Sequence, residues 1–184
     1  MTMDEFFDVL DAQGNPIGVR KHRDDVHRDG DWHRNVHLWI VTEYNDILLQ
    51  RCTDEFYMLP YYVDVSMSGH VKSGHTSEET VVLEAQEELS IEVPLRDLHF
   101  LMMDRVQFEG KTARIERYFN KELHDVYVWR CPLNPFDFKF DTREIKGLEL
   151  VTFNEFDKMV QNRDERLVPQ WREYEALLWY LGGK

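Results

Sequence analysis

The chain is short of cysteine, of positive charge and of long apolar runs, and each shortage removes a class of protein. Its two cysteines, Cys52 and Cys131, show no metal-ligand spacing. A thiolate metal site is therefore set aside, and a reduced, cytoplasmic setting is expected. Lysine and arginine number 22 against 35 aspartates and glutamates, a formal net charge of −13, which argues against a nucleic-acid polymer as partner. No apolar run approaches the roughly 20 residues of a membrane helix. The acidic start, MTMDEFFDVLD, lacks a signal-peptide pattern, so no membrane partner is expected either. Internal repeats, low-complexity tracts and long linkers are also missing. What remains is 42% hydrophobic and 13% aromatic over 184 residues, enough to build the core of one folded domain spanning 1–184.

Strand-like runs come first, FFDVLD and then NPIGVR after a turn at Asn15-Pro16, followed by the charged stretch KHRDDVHRDGDWHR. VHLWIV and DILLQRC read as a hairpin across Asn45-Asp46, and Val63 to Met67 as a short strand. Thr76-Ser77-Glu78-Glu79 fits a capping box that starts a helix, with Val81, Ala85 and Leu89 on its core face and Pro94 beyond its end. Later strands are expected in HFLMMDRVQF, DVYVWRC and GLELVTF. Two helices close the chain, one from Asn154 and one with Pro169 as its first residue. Trp171, Tyr174, Leu178 and Leu181 would form the buried stripe of the last, read as plain core packing. Strands on both sides of a central helix, with terminal helices, predict an α/β fold: an α/β/α sandwich around a mixed sheet.

The segment that carries chemistry is GHVKSGHTSEETVVLEAQEELSI, residues 69–91. A glycine loop runs into a helix on which Glu84, Glu87 and Glu88 are related by i, i+3 and i+4 and share one face. Like charges so placed cost a helix about 0.2–0.5 kcal/mol. A solvated acidic face would explain them in so acidic a chain. A site for hard divalent cations, which take oxygen ligands, explains both the stripe and the loop opposite it.

This segment resembles the Nudix box. Gly69 falls on its first glycine, Glu84 on the first glutamate of its core, Ala85 and Ile91 on aliphatic positions, and Glu87-Glu88 on the acidic pair. Three positions depart: His75 replaces the early glutamate, Leu83 the arginine and Ser90 the late glycine. The resemblance implies a Nudix-type α/β/α sandwich and a hydrolase of a diphosphate linkage in a nucleoside diphosphate derivative or similar small molecule. It also implies Mg²⁺ or Mn²⁺ held by Glu84, Glu87, Glu88 and the Gly69 carbonyl. The lost arginine and glutamate support those carboxylates in the family, so their joint loss bears on catalytic rate more than on fold.

Eight histidines are present, with His27, His33 and His37 before or at the opening of VHLWIV and His70 after the box glycine. Unpatterned surface histidines are common. The layout nevertheless is similar to the isopentenyl-diphosphate isomerase branch of the same superfamily. There His27, His37 and His70 match three histidines, Glu122 matches the second glutamate of a Glu-x-Glu, and Asn120 replaces the first. That match implies a further metal site at His27, His37 and His70. The branch's catalytic cysteine is Ser68 here, and a hydroxyl is not a comparable acid to a tunable thiol.

Under the hydrolase reading Glu122 is the candidate general base or an additional ligand. Arg51 and Lys72 are the candidate phosphate-binding cations, each equally readable as a solvated surface charge. Trp32, Phe56, Tyr57, Tyr61 and Tyr62 are available to stack on a base, to pack in the core or to form a contact in a homodimer. Two other functions stay open: an isomerase of small prenyl diphosphates, and a nucleotide-binding module with weak catalysis.

Overall fold

The computed structural model describes residues 5–52, 62–110, 117–142 and 145–183. A seven-stranded mixed sheet lies between helices, as the strand–helix order predicts. Strands β1 (Phe6–Leu10) and β2 (Pro16–His22) form a separate antiparallel hairpin. Helix α1 (Arg23–Asp29) follows, inside the charged stretch, whose residues carry no helical apolar pattern. His22 caps it and Gly30, at φ 70°, ends it.

The central strands are β3 (His33–Val41) and β8 (Tyr118–Arg130), paired in parallel over the whole of β3. Around them the order is β5 (Val63–Asp64), β4 (Ile47–Cys52), β3, β8 and β7 (Leu98–Gly110). Strand β6 (Met67–His70) pairs with β3, and β9 (Ile145–Val151) pairs with β4. The expected hairpin does turn at Asn45, which takes φ 65°, and Val41 faces Ile47. Beyond that pair β4 leaves β3 and runs beside β9, while β6 takes the place next to β3. The single strand expected over Val63 to Met67 is two short ones, split where the chain passes from β4 to β3.

Alternation along β3 divides the core. Val36, Leu38 and Ile40 pack with Val81, Ala85 and Leu89 of α2 (Ser77–Leu89). Trp39 and Val41 pack with Val126, Val128 and residues of α3 (Phe153–Gln161) and α4 (Trp171–Gly182), including Phe156, Tyr174 and Leu177. Each such aliphatic or aromatic side chain, fully buried, is worth about 1.5–3 kcal/mol, which ties both helical layers to the sheet. The α/β/α sandwich is thus the observed architecture.

Helix α4 begins at Trp171, not at Pro169. The Gln170 amide donates to the Val168 carbonyl at 2.7 Å, so Pro169 is the centre of a tight three-residue turn instead of the first helical residue. The helix buries Tyr174, Leu177 and Leu181, with Trp171 and Leu178 partly covered. It also buries Glu173 completely, so its inner face is not only core packing.

Candidate functional site

The loop and helix of residues 69–91 meet as the sequence suggests. Thr76 caps α2 through a reciprocal capping box with Glu79, which fixes where the helix starts relative to β6. Gly69 then abuts Glu84 so closely that a Cβ there would lie 2.5 Å from Glu84 Cγ. Only glycine leaves that cradle for the carboxylate, which places the Gly69 backbone and Glu84 together as a hard-cation site requires. Glu84 is partly buried, Glu87 exposed and Glu88 buried. The Lys72 ammonium stands 3.7 Å from Glu84 and 3.7 Å from Glu5. Burial opposes its charge, but Glu84, Glu5 and Glu87 together raise its pKa. The oxygen-rich donor set fits Mg²⁺ or Mn²⁺.

The departures from the box have separate local settings. His75 is exposed and Leu83 is 45% exposed, so neither fills the core in place of the residue it replaces. Ser90 is the C-cap of α2 at φ 55°, the left-handed conformation that glycine adopts without cost.

Among the described residues, two groups bring three metal-ligating side chains to within 4.8 Å of one another, and both are built on histidine. The first is His27, His33 and His70. His27 comes from α1, His33 opens β3 and His70 ends β6. The Nδ1 of His27 is 3.3 Å from the Phe119 carbonyl and that of His33 is 3.1 Å from the Asp31 carbonyl. The Nε2 of His27 faces the Tyr118 hydroxyl at 3.3 Å, and the Nε2 of His33 faces the Glu122 carboxylate at 3.4 Å. Phe7 of β1, itself fully buried, stacks on His33 and His70 and closes the group on one side. Burial, with His70 and His33 close by, lowers the His27 pKa to about 3, and burial also lowers that of His70.

Glu122 lies beside this group. Its Oε1 accepts from His70 Nε2 at 3.0 Å and is 3.4 Å from His33 Nε2, while Oε2 accepts from His124 Nε2 at 2.8 Å. Burial favours the neutral acid, but the three histidines outweigh it and hold the carboxyl well below its usual range. Both carboxylate oxygens are thus engaged by histidines, and the geometry suits an anchor or ligand better than a general base.

The second group is His37, His124 and Glu173. His37, expected to join His27 and His70, lies four residues beyond His33 on the same face of β3 and bonds Glu173 of α4 through Nδ1 at 2.8 Å. His33 takes the place expected of His37 beside His27 and His70, because β3 begins at His33. Burial opposes the charge of His37, yet the neighbouring Glu173 carboxylate raises its pKa to about 9. Trp39 Nε1 donates to the other Glu173 oxygen at 2.7 Å.

The other candidates are scattered. Arg51, on β4, is bound to Glu149 at 2.8 Å and is not drawn to either histidine group. The Trp32 ring lies under the Arg105 guanidinium. Phe56, Tyr57 and Tyr61 fall outside the described residues. His124 and Glu173 were missed by sequence reasoning. For His124 a signal existed: it shares a strand face with Glu122 and Val126 by simple alternation. For Glu173, one acid within an apolar helical stripe gave none.

The chain is 33% identical over 172 residues to Nudix hydrolase 3 of Arabidopsis thaliana, covering 90% of this chain and 22% of that protein. It therefore spans about a fifth of that relative's length. It is 31% identical over 140 residues to the uncharacterized Nudix hydrolase orf19 of Rhodococcus erythropolis, covering 75% of this chain and 69% of that one. The chain belongs to the Nudix hydrolase family. No protein-family model matches this Nudix chain. Its fold is similar to the crystal structure of DR0079 from Deinococcus radiodurans, at TM-score 0.67 and 20% identity, over 94% of this chain and 99% of that one. No helix among the described residues is long and apolar enough to cross a membrane.

Proposed function

We propose that this Nudix protein hydrolyses a diphosphate linkage in a nucleoside diphosphate derivative or similar small molecule, using Mg²⁺ or Mn²⁺. The observation that carries this reading is the contact of Gly69 with Glu84, which joins the loop backbone to the first carboxylate of the stripe. Glu84, Glu87, Glu88 and the Gly69 carbonyl would hold the ion. A divalent ion there supplies charge for the diphosphate oxygens and acidifies a water. Lys72, already beside Glu84, offers a cation for a phosphate oxygen in a strongly acidic protein. Glu122 anchors the histidine group and orients its rings. His27, His33 and His70 would hold an additional cation there.

A panel of nucleoside diphosphate derivatives, assayed with Mg²⁺ and with Mn²⁺ beside Glu88→Gln, tests the proposal. Turnover of at least one compound, reduced about 100-fold or more in the variant, supports it. A panel that binds but is not turned over with either ion supports the binding-module reading, which the exposed Leu83 and His75 motivate.

The histidine group with Glu122 favours one second reading, an isomerase of small prenyl diphosphates. Ser68 lies opposite His37 in the β3–β6 ladder, on the strand face that also carries His70. That reading requires isomerisation of isopentenyl diphosphate without phosphate release, increased by Ser68→Cys. No isomerisation by either protein removes it.

A further inference from the structure

We propose that His37, His124 and Glu173 form a buried site for a first-row transition-metal ion, separate from the box carboxylates and from the His27 group, which fastens α4 to the sheet. Three elements converge on it: His37 comes from β3, His124 from β8 and Glu173 from α4. The first two strands are hydrogen-bonded neighbours in a fixed parallel register, with Asn35 opposite His124 and His37 opposite Val126. One ligand atom from each of the three side chains lies within 4.8 Å of the others, and none of the three is more than 4% exposed. The two imidazole rings are 4.1 Å apart between centroids.

The orientation of His124 is what points to a ligand. Its Nε2 is engaged by Glu122, which puts the proton there and leaves Nδ1 as the basic nitrogen. That Nδ1 is buried and has no hydrogen-bond partner. A buried ring nitrogen without a partner forfeits its hydration with nothing in return. A carboxylate–histidine pair with the second nitrogen bare is the arrangement that presents imidazole to a metal. On the other side Trp39 holds one oxygen of Glu173, which fixes the carboxylate and directs its second oxygen to His37.

Two imidazoles and one carboxylate are a nitrogen-rich set. It suits Zn²⁺, Co²⁺, Fe²⁺ or Ni²⁺ and disfavours Mg²⁺ and Ca²⁺, which prefer oxygen. Without a metal, a proton bridges His37 and Glu173. Loading replaces that proton with the ion and releases it to solvent. The product is a cross-link from β3 and β8 to α4, between segments more than 100 residues apart for His37 and Glu173.

The test uses the whole chain, freed of metal with a chelator and then given Co²⁺. Crystals measured at the cobalt edge should give an anomalous peak bounded by His37, His124 and Glu173. In solution Co²⁺ should produce visible absorption bands and raise Tm by several degrees. Glu173→Gln, which keeps an acceptor for Trp39, should lose the part of the absorption that His70→Asn retains. Anomalous peaks confined to the His27 group or the box glutamates would overturn the proposal, as would unchanged cobalt spectra in Glu173→Gln. If that variant does not fold, the anomalous map of the unaltered protein decides alone.

Discussion

Glu122 and His124 stand two residues apart on β8, and the carboxylate of the first accepts the Nε2–H of the second at 2.8 Å. The other carboxylate oxygen turns to His70 at 3.0 Å. One buried acid therefore joins two histidine groups drawn from β3, β6, β8 and α1. Glu122→Gln should destabilise the protein by about 3 kcal/mol, since it breaks a buried, charge-assisted cluster. The acid form has its pKa lowered in the fold, so its stabilisation is complete above the usual value of 4.5 and is lost as pH falls through the folded value. The gap between the urea unfolding midpoints of the two proteins should be full at pH 7 and should narrow as pH falls below 4.5.

Gly69→Ala sets the Cβ against Glu84 Cγ, where 2.5 Å leaves no room. Glu84 must move. Hydrolysis should fall about 10-fold or more, a barrier increase of about 1.4 kcal/mol, with Mn²⁺ affinity falling in parallel. Steady-state kinetics and a Mn²⁺ titration of the same preparation check both.

The paired departures at His75 and Leu83 are both exposed, so neither reversal requires the core to repack. Leu83→Arg lies four residues before Glu87 and supplies a helical ion pair worth about 0.3–0.5 kcal/mol. Combined with His75→Glu, it should increase turnover by steadying the carboxylates. A rate that stays level or falls contradicts the supporting role assigned to those positions.

Ser90→Gly should stabilise the fold by about 0.5–1 kcal/mol, because Ser90 sits at φ 55° where a Cβ is strained. Part of the gain is offset by the extra freedom of glycine in the unfolded chain. Urea denaturation reads the difference, and turnover should not change.

Much of this architecture was legible in the sequence because short-range signals and the fold agree. The Thr76 capping box, the Val81–Ala85–Leu89 spacing and the turn at Asn45 each depend on nearby residues, and each stands where expected. The joint position of Gly69 and Glu84 was legible for the same reason. What escaped depends on the long-range register of the sheet. The choice of His33 over His37 is set by where β3 begins and by its parallel pairing with β8. Helix α1 was hidden by its charge, since it buries only Val26 and His27 and carries no apolar stripe. Glu173 was hidden by its surroundings, because only the packing of α4 against β3 reveals that the carboxylate meets His37 and Trp39.

The most direct test of the central claim is a calorimetric titration of Mn²⁺ in the presence of a non-hydrolysable nucleoside diphosphate derivative. It compares the natural chain with a Glu84→Gln, Glu87→Gln, Glu88→Gln variant that still folds. The account predicts that the variant loses Mn²⁺-binding equivalents that the natural chain has. The same number of ions bound with the same affinity would contradict it.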